Sequence, residues 1–244
     1  MKTIVRFMRI LLSYLTTYKH YICYHIKEWM LKLEGILFMH AAYSELLFSE
    51  LTGNLREDVY NFLSRNGCEE IGVHCLKVGE ESKRIAIMFG ANSREAEYAG
   101  YLHDISAVFP NEIRISIAHQ LGVEVLPEEE TFPMIIHQKL SKEMARNLFN
   151  ISNPTILNAV GCHTTLRKHA TLLDNVLFVA DKIAWDQSGS PPYIKDIYQG
   201  LEKSIEHASY AYINYLWQQR EKLRVVHPWL RDAFYDLDQL LREC

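Results

Sequence analysis

The sequence predicts an all-α protein. Apolar residues recur every three or four positions, turn-forming residues separate those stretches, and the β-branched alternation that a sheet requires is missing. Val59, Phe62 and Leu63 set the period, Ile85, Met88 and Phe89 repeat it, and a long stretch from Ile194 through Leu201, Ile205 and Tyr212 to Leu216 carries it toward the C-terminus. Between these lie Asn66-Gly67, Gly90-Ala91-Asn92, Phe109-Pro110-Asn111, Asn153-Pro154 and Ser188-Gly189-Ser190-Pro191-Pro192, each of which ends a helix. The pattern corresponds to about eight to ten helices packed around one core.

Of 244 residues, 48% are hydrophobic and 23% charged, a balance that buries a core and excludes disordered and collagen-like chains. A formal charge of -4 offers no general field for nucleic acid, so no nucleic-acid partner is expected. The five cysteines include no C-x-x-C pair, which argues against a disulfide framework or thiolate zinc site and for a reducing cytoplasm. The first 38 residues hold six Lys/Arg and two Asp/Glu with many aromatics, and read as a basic arm or extension preceding a domain over 39–244. Arg6, Arg9 and Lys19 interrupt the apolar stretch Ile4 to Tyr24, so neither a transmembrane helix nor a membrane partner is expected.

The chemistry lies in scattered histidines and aspartates set in apolar helical segments. His74 sits in IGVHCLKVG, His103 and Asp104 close AEYAGYLHDIS, His137 ends PMIIHQ, His163 follows ILNAVGC, and Asp181 lies in VLFVADKIAW. An imidazole or carboxylate among Leu, Ile and Val must be hydrogen-bonded, paired or bound to a cation. Four His and two Asp without a thiolate form a ligand set for first-row metals, enough for two ions. His103 and Asp104 lie about 100° apart on a regular helix, yet at a helix end both can reach one centre. Two adjacent cations activate water and neutralise phosphoryl charge, the logic of two-metal phosphate-ester hydrolysis.

The ordered set His74, His103-Asp104, His137, His163, Asp181 resembles the HD superfamily of metal-dependent phosphohydrolases. The segments YLHDIS, MIIHQKLSKEMARNLF, ILNAVGCHTTLR and LDNVLFVADKI, across about residues 55 to 240, are similar to the YqeK family of symmetrical bis(5'-nucleosyl)-tetraphosphatases. The resemblance implies an all-α HD-domain helical bundle and a hydrolase acting on acid anhydrides. Its centre would hold two divalent or mixed-valence metal ions, usually iron, with manganese or another first-row metal as alternatives. The implied reaction splits diadenosine tetraphosphate into two ADP by a metal-bound hydroxide.

Carried onto this chain, the resemblance gives His74, His103, Asp104 and Asp181 to one ion and His137, His163 and a bridging Asp104 to the other. His103 and Asp104 take the catalytic role. Thr164, Thr165 and Arg167 would face the phosphate chain, with Lys77 assisting one turn after His74. The family's HGxxG reads His137-Gln138-Lys139-Leu140-Ser141 here, and its HTTGR reads His163-Thr164-Thr165-Leu166-Arg167, replacements expected to narrow a phosphate's approach to the backbone. Alternatives are another HD enzyme, such as a nucleotidase, deoxynucleoside triphosphatase or alarmone hydrolase, and a weakly active nucleotide-binding regulator. A homodimer is left open.

The remaining features are expected to be structural. The aromatic run Tyr193, Tyr198, Tyr210, Tyr212, Tyr215 and Trp217 has the spacing of a helical core. Glu128-Glu129-Glu130 reads as a solvated acidic loop, His227 carries no assigned role, and Asp232, Asp236 and Asp238 read as a solvated face.

Overall fold

The computed structural model describes residues 41–185 and 189–243. The basic segment 1–38, with its Ile4 to Tyr24 stretch, lies outside the described residues, as does part of the turn at 186–188. One compact unit spans Leu46–Cys244; of the other, Met1–Glu45, only 41–45 is described, closed by the Ser44 hydroxyl donating to the Ala41 carbonyl.

Among the described residues there are eleven α-helices and no strand. They are α1 (Leu55–Arg65), α2 (Glu69–Phe89), α3 (Ser93–Leu102), α4 (Asn111–Gln120), α5 (Pro127–Thr131), α6 (His137–Leu148), α7 (Pro154–Val160), α8 (Leu172–Ile183), α9 (Ile194–Leu201), α10 (Ile205–Gln218) and α11 (Pro228–Glu243). Single 3-10 turns follow α3 and α10. The number exceeds the eight to ten expected, partly because the long C-terminal stretch is two helices. It breaks before Ser204, whose side chain accepts from the His207 amide to cap α10. Across that break a Cβ on Gly200 would stand 2.6 Å from Ala208 Cα, so glycine lets α9 and α10 touch backbones.

The other breakers act as their chemistry dictates. Gly90 ends α2 at φ 74°, and Asn92 caps α3 by accepting from the Arg94 and Glu95 amides. Asn153 caps α7, with Pro154 at its first position. Thr171 and Asp174 form a reciprocal capping box on α8.

Helix α8 runs through the centre, packing against α2, α3, α7 and α10, with every side chain from Leu173 to Ala180 buried. Burying each of its larger apolar side chains contributes roughly 1.5–3 kcal/mol, which fixes α8 as the rod that presents Asp181. Helices α2 and α3 cross in backbone contact: a Cβ on Gly100 would lie 2.5 Å from Gly79 Cα, and one on Gly79 would lie 2.3 Å from the Tyr101 ring. This crossing brings His74 of α2 to His103 just past α3. The apolar period has two exceptions, since Met88 and Tyr198 are exposed. Among the described residues no helix is long and apolar enough to cross a membrane.

Candidate metal centre

The six expected ligands come from three helices and the C-terminal ends of two others. His74 lies in α2, His103 at the C-terminal cap of α3, Asp104 just beyond, His137 at the first position of α6, His163 in the turn after α7, and Asp181 in the last turn of α8. The reading of His137 as the end of an apolar segment is corrected: it opens a helix, after turns in which the Ile135 amide donates to the Phe132 carbonyl and the His137 amide to the Met134 carbonyl.

The structure brings these six side chains together. His137 and His163 Nε2 lie 3.1 and 3.3 Å from Asp104 Oδ1, His74 Nε2 lies 3.2 Å from Asp181 Oδ1, and His103 Nε2 is 3.5 Å from both Asp104 and Asp181. Three mutually close ligand groups result: His74 with His103 and Asp104; His103 with His163 and Asp181; Asp104 with His137 and His163. The last has the membership expected for the second ion.

The tautomers follow from the backbone. His103, His137 and His163 each donate Nδ1–H to the carbonyl three residues earlier, those of Gly100, Met134 and Val160, at 2.8, 2.5 and 2.8 Å. A carbonyl only accepts, so Nδ1 carries the proton and each Nε2 turns a lone pair inward. His137 and His163 Nε2 then face each other at 2.9 Å. Two lone pairs at that separation repel unless a cation stands with them. Among the described residues, His103 Nε2 and Asp104 Oδ1 are buried without a hydrogen-bond partner. Converging lone pairs and orphaned acceptors fit a divalent metal site.

The electrostatics agree. Burial pushes His163 down to about 4, keeping its imidazole neutral at neutral pH. Burial would raise the Asp104 carboxyl, but the neighbouring imidazoles, His103 first, outweigh it when they carry a proton on Nε2 and hold it well below the usual carboxylate range. Asp181 is likewise lowered against its burial, chiefly by Lys182, whose ammonium pairs with it. Lys182 also reaches the His163 carbonyl and lies over the Phe178 and Tyr212 rings.

The expected phosphate contacts are distributed unevenly. The Thr164 hydroxyl lies 3.0 and 3.2 Å from the Nε2 atoms of His137 and His163. Lys77 is exposed on α2, with no ion-pair partner among the described residues. Thr165 is buried and bonded to Gln138 and the Leu166 carbonyl. Arg167 bonds Asp174 through Nε and Nη2 at 3.0 and 2.7 Å, and lines a cavity with α6.

Gln138 and Leu166, the replacements expected to narrow an approach to the backbone, are both fully buried. Gln138 Oε1 accepts from the amides of Thr164 and Thr165 at 3.0 and 3.3 Å and ties the His163 turn to α6. Leu166 turns its side chain into the core from a left-handed backbone, φ 56°. Ser141, in the same altered motif, bonds the Ser106 hydroxyl at 2.9 Å, and Ser106 donates to the His137 carbonyl at 2.8 Å. These clamps were missed in the sequence; the available signal was polar residues one and four positions after a ligand.

A second correction concerns the acidic run. Glu129 is fully buried, bonded to Lys139 at 2.8 Å and His227 at 3.3 Å, and accepts from the Leu126 amide. One helical turn directs it inward while Glu128 and Glu130 do not share its burial. The C-terminal acidic face is also partly engaged: Asp236 holds His169 and Asp238 accepts from the Tyr210 hydroxyl. The aromatic run largely packs internally, with Tyr193 against Tyr212 and Trp217 stacked on Phe234.

The HD domain family model matches residues 71–186, the interval that contains all six expected ligands. The chain belongs to the HD family. An uncharacterised protein from the pepC 5' region of Lactococcus lactis subsp. cremoris is 43% identical over 147 residues, covering 60% of this chain and 74% of that protein. A symmetrical bis(5'-nucleosyl)-tetraphosphatase of Bacillus subtilis is 28% identical over 130 residues, or 52% of this chain and 68% of its own. The crystal structure of a predicted HD superfamily hydrolase involved in NAD metabolism from Clostridium acetobutylicum superposes with a TM-score of 0.69 at 22% identity. It covers 75% of this chain and 97% of that one, and shows the same fold. This HD protein is a metal-dependent phosphohydrolase.

Proposed function

We propose that the protein hydrolyses a nucleotide phosphoanhydride, cleaving diadenosine tetraphosphate symmetrically into two ADP, and that its metal is iron. The observation that carries this reading is the convergence of four imidazoles on two carboxylates, with the Nε2 lone pairs of His137 and His163 face to face. The tetraphosphatase names of the relatives at 26–28% identity support the substrate.

In this reading His74, His103, Asp104 and Asp181 hold one ion, and His137, His163 and Asp104 the other. Such ions, when bound, supply an activated water and offset charge on phosphoryl oxygens. The chain's own residues orient the reaction. Backbone carbonyls fix three rings through Nδ1, so their Nε2 atoms need no rearrangement. Asp104, held ionised, accepts a hydrogen bond from the attacking water. That water adds to one central phosphorus and the bond to the middle bridging oxygen breaks, leaving ADP on each side. The exposed ammonium of Lys77 and the hydroxyl of Thr164 meet the phosphate chain.

Product analysis with element analysis on freshly purified protein tests this reading. Only ADP, with iron bound, is the expected result; AMP with ATP would refute symmetrical attack, and absence of cleavage in iron-loaded protein would refute the substrate.

A further inference from the structure

Helix α6 has two working faces. His137 lies on one; Lys139, Lys142 and Arg146 fall roughly 140–200° around the helix from it. That opposite face lines a cavity of about 480 Å³, whose other walls include Arg167, Gly161 and Trp229. The volume is that of a small-ligand site, within the usual range of roughly 300–1,000 Å³.

Charge at this cavity is unevenly satisfied. Lys139 is committed to buried Glu129 and the Glu124 carbonyl, and lies over the Trp229 ring. Lys142 is part-buried, and the one bond its ammonium makes goes to a neutral acceptor, Asn158 Oδ1, at 3.1 Å. Two of its three donors have no acceptor among the described residues. Gly161 makes room for this side chain, since a Cβ there would lie 2.8 Å from Lys142 Cδ. Arg167 uses two of its five donors on buried Asp174, and among the described residues Arg146 is held only by an i,i+3 pair with Glu143. Of the four cations in the cavity walls, Lys139 and Arg167 are paired with Glu129 and Asp174 and Arg146 with Glu143, which leaves Lys142 as a part-buried ammonium with no carboxylate partner among the described residues.

We propose that this cavity binds a phosphate-bearing small anion of up to mononucleotide size, at a site separate from the metal centre. Lys142 and Arg146 supply the charge, and the free edge of Arg167 the planar fork that matches phosphate oxygens. Lys182 and Lys77, which serve the other side, take no part. The proposal is independent of the substrate assigned to the metal centre.

Calorimetric titration of inorganic pyrophosphate into metal-loaded full chain tests it, using wild type, Lys142→Gln/Arg146→Gln and His163→Ala. Wild type is expected to show two classes of site. The double variant should lose one of them by at least tenfold, with helicity, metal content and the other site unchanged, whereas His163→Ala should keep it. Pyrophosphate binding by the double variant equal to wild type, or complete loss of binding in His163→Ala, would overturn the proposal. Arg146→Gln alone, at an exposed position, should weaken the same class, and its failure to do so counts against the site even if the double variant misfolds. ADP titrated into His163→Ala distinguishes sources: tighter binding than pyrophosphate with Trp229 quenching, absent in Trp229→Phe, supports a nucleotide, and equal affinity supports a bare phosphate chain.

Discussion

His137 and His163 present their Nε2 atoms to each other at 2.9 Å, each with its Nδ1 proton already given to a carbonyl three residues back. The pair comes from the start of α6 and the turn after α7, so two separate backbone carbonyls aim two lone pairs at one point. His137 belongs to one ligand group alone, so removing its ring should release one metal equivalent and leave the other. His137→Ala is expected to retain about half the wild-type metal by element analysis, whereas Asp104→Ala, which faces both groups, should lose nearly all and drop turnover by roughly 100-fold or more. Full metal content in Asp104→Ala would contradict the arrangement.

Gln138 joins α6 to the His163 turn through two backbone amides. Gln138→Leu keeps the volume but leaves those buried amides unpaired, at a cost of about 1–3 kcal/mol for each orphaned group. Urea unfolding should show the loss, and metal affinity should fall roughly 10–100-fold because His163 is no longer held. An unchanged metal dissociation constant would show that the turn is rigid without it.

Leu166 sets two effects against each other. Its left-handed backbone costs roughly 1–2 kcal/mol, while truncating a buried leucine typically costs about 2–5 kcal/mol. Both Leu166→Ala and Leu166→Gly should be less stable than wild type, but the glycine variant should be the better of the two by about 1 kcal/mol, since only it relieves the strain. The reverse order in denaturant midpoints would remove the strain argument.

Glu129 gives a pH test away from the metal. Burial raises its carboxyl, but His227 and Lys139 outweigh this and set it below its ordinary value of 4.5. A folded value below the unfolded one means that its stabilisation is present above about pH 4.5 and is lost as the pH falls through the folded value. Glu129→Gln should flatten the acid limb of stability between pH 5 and 3, and at pH 7 destabilise by about 3–5 kcal/mol by leaving Lys139 buried without its partner. Parallel pH curves for variant and wild type would exclude the effect.

The sequence announced the six converging side chains because each sits as an isolated polar group in an apolar run, where burial requires a partner. It announced the helix ends because Gly90, Asn92, Asn153 and Pro154 act locally. What it hid depended on distant partners. Gln138 bonds amides 26 residues away, and Glu129 meets His227 98 residues away, so neither partner lies in any local window. Arg167 was read from its place beside a ligand, but the turn at Leu166 directs it to Asp174. The division between α9 and α10 was obscured because apolar spacing continues across Ser204, and only the cap reveals the break.

The contact between Gly79 and Gly100 sets how far apart the helices bearing His74 and His103 stand. With backbone resting on backbone, even one added methyl would act as a wedge and spread two imidazoles that the surrounding carbonyls cannot re-aim. The tolerance of the ion cage to substitution is thus decided five and three residues away from it, at positions that bear no functional group at all.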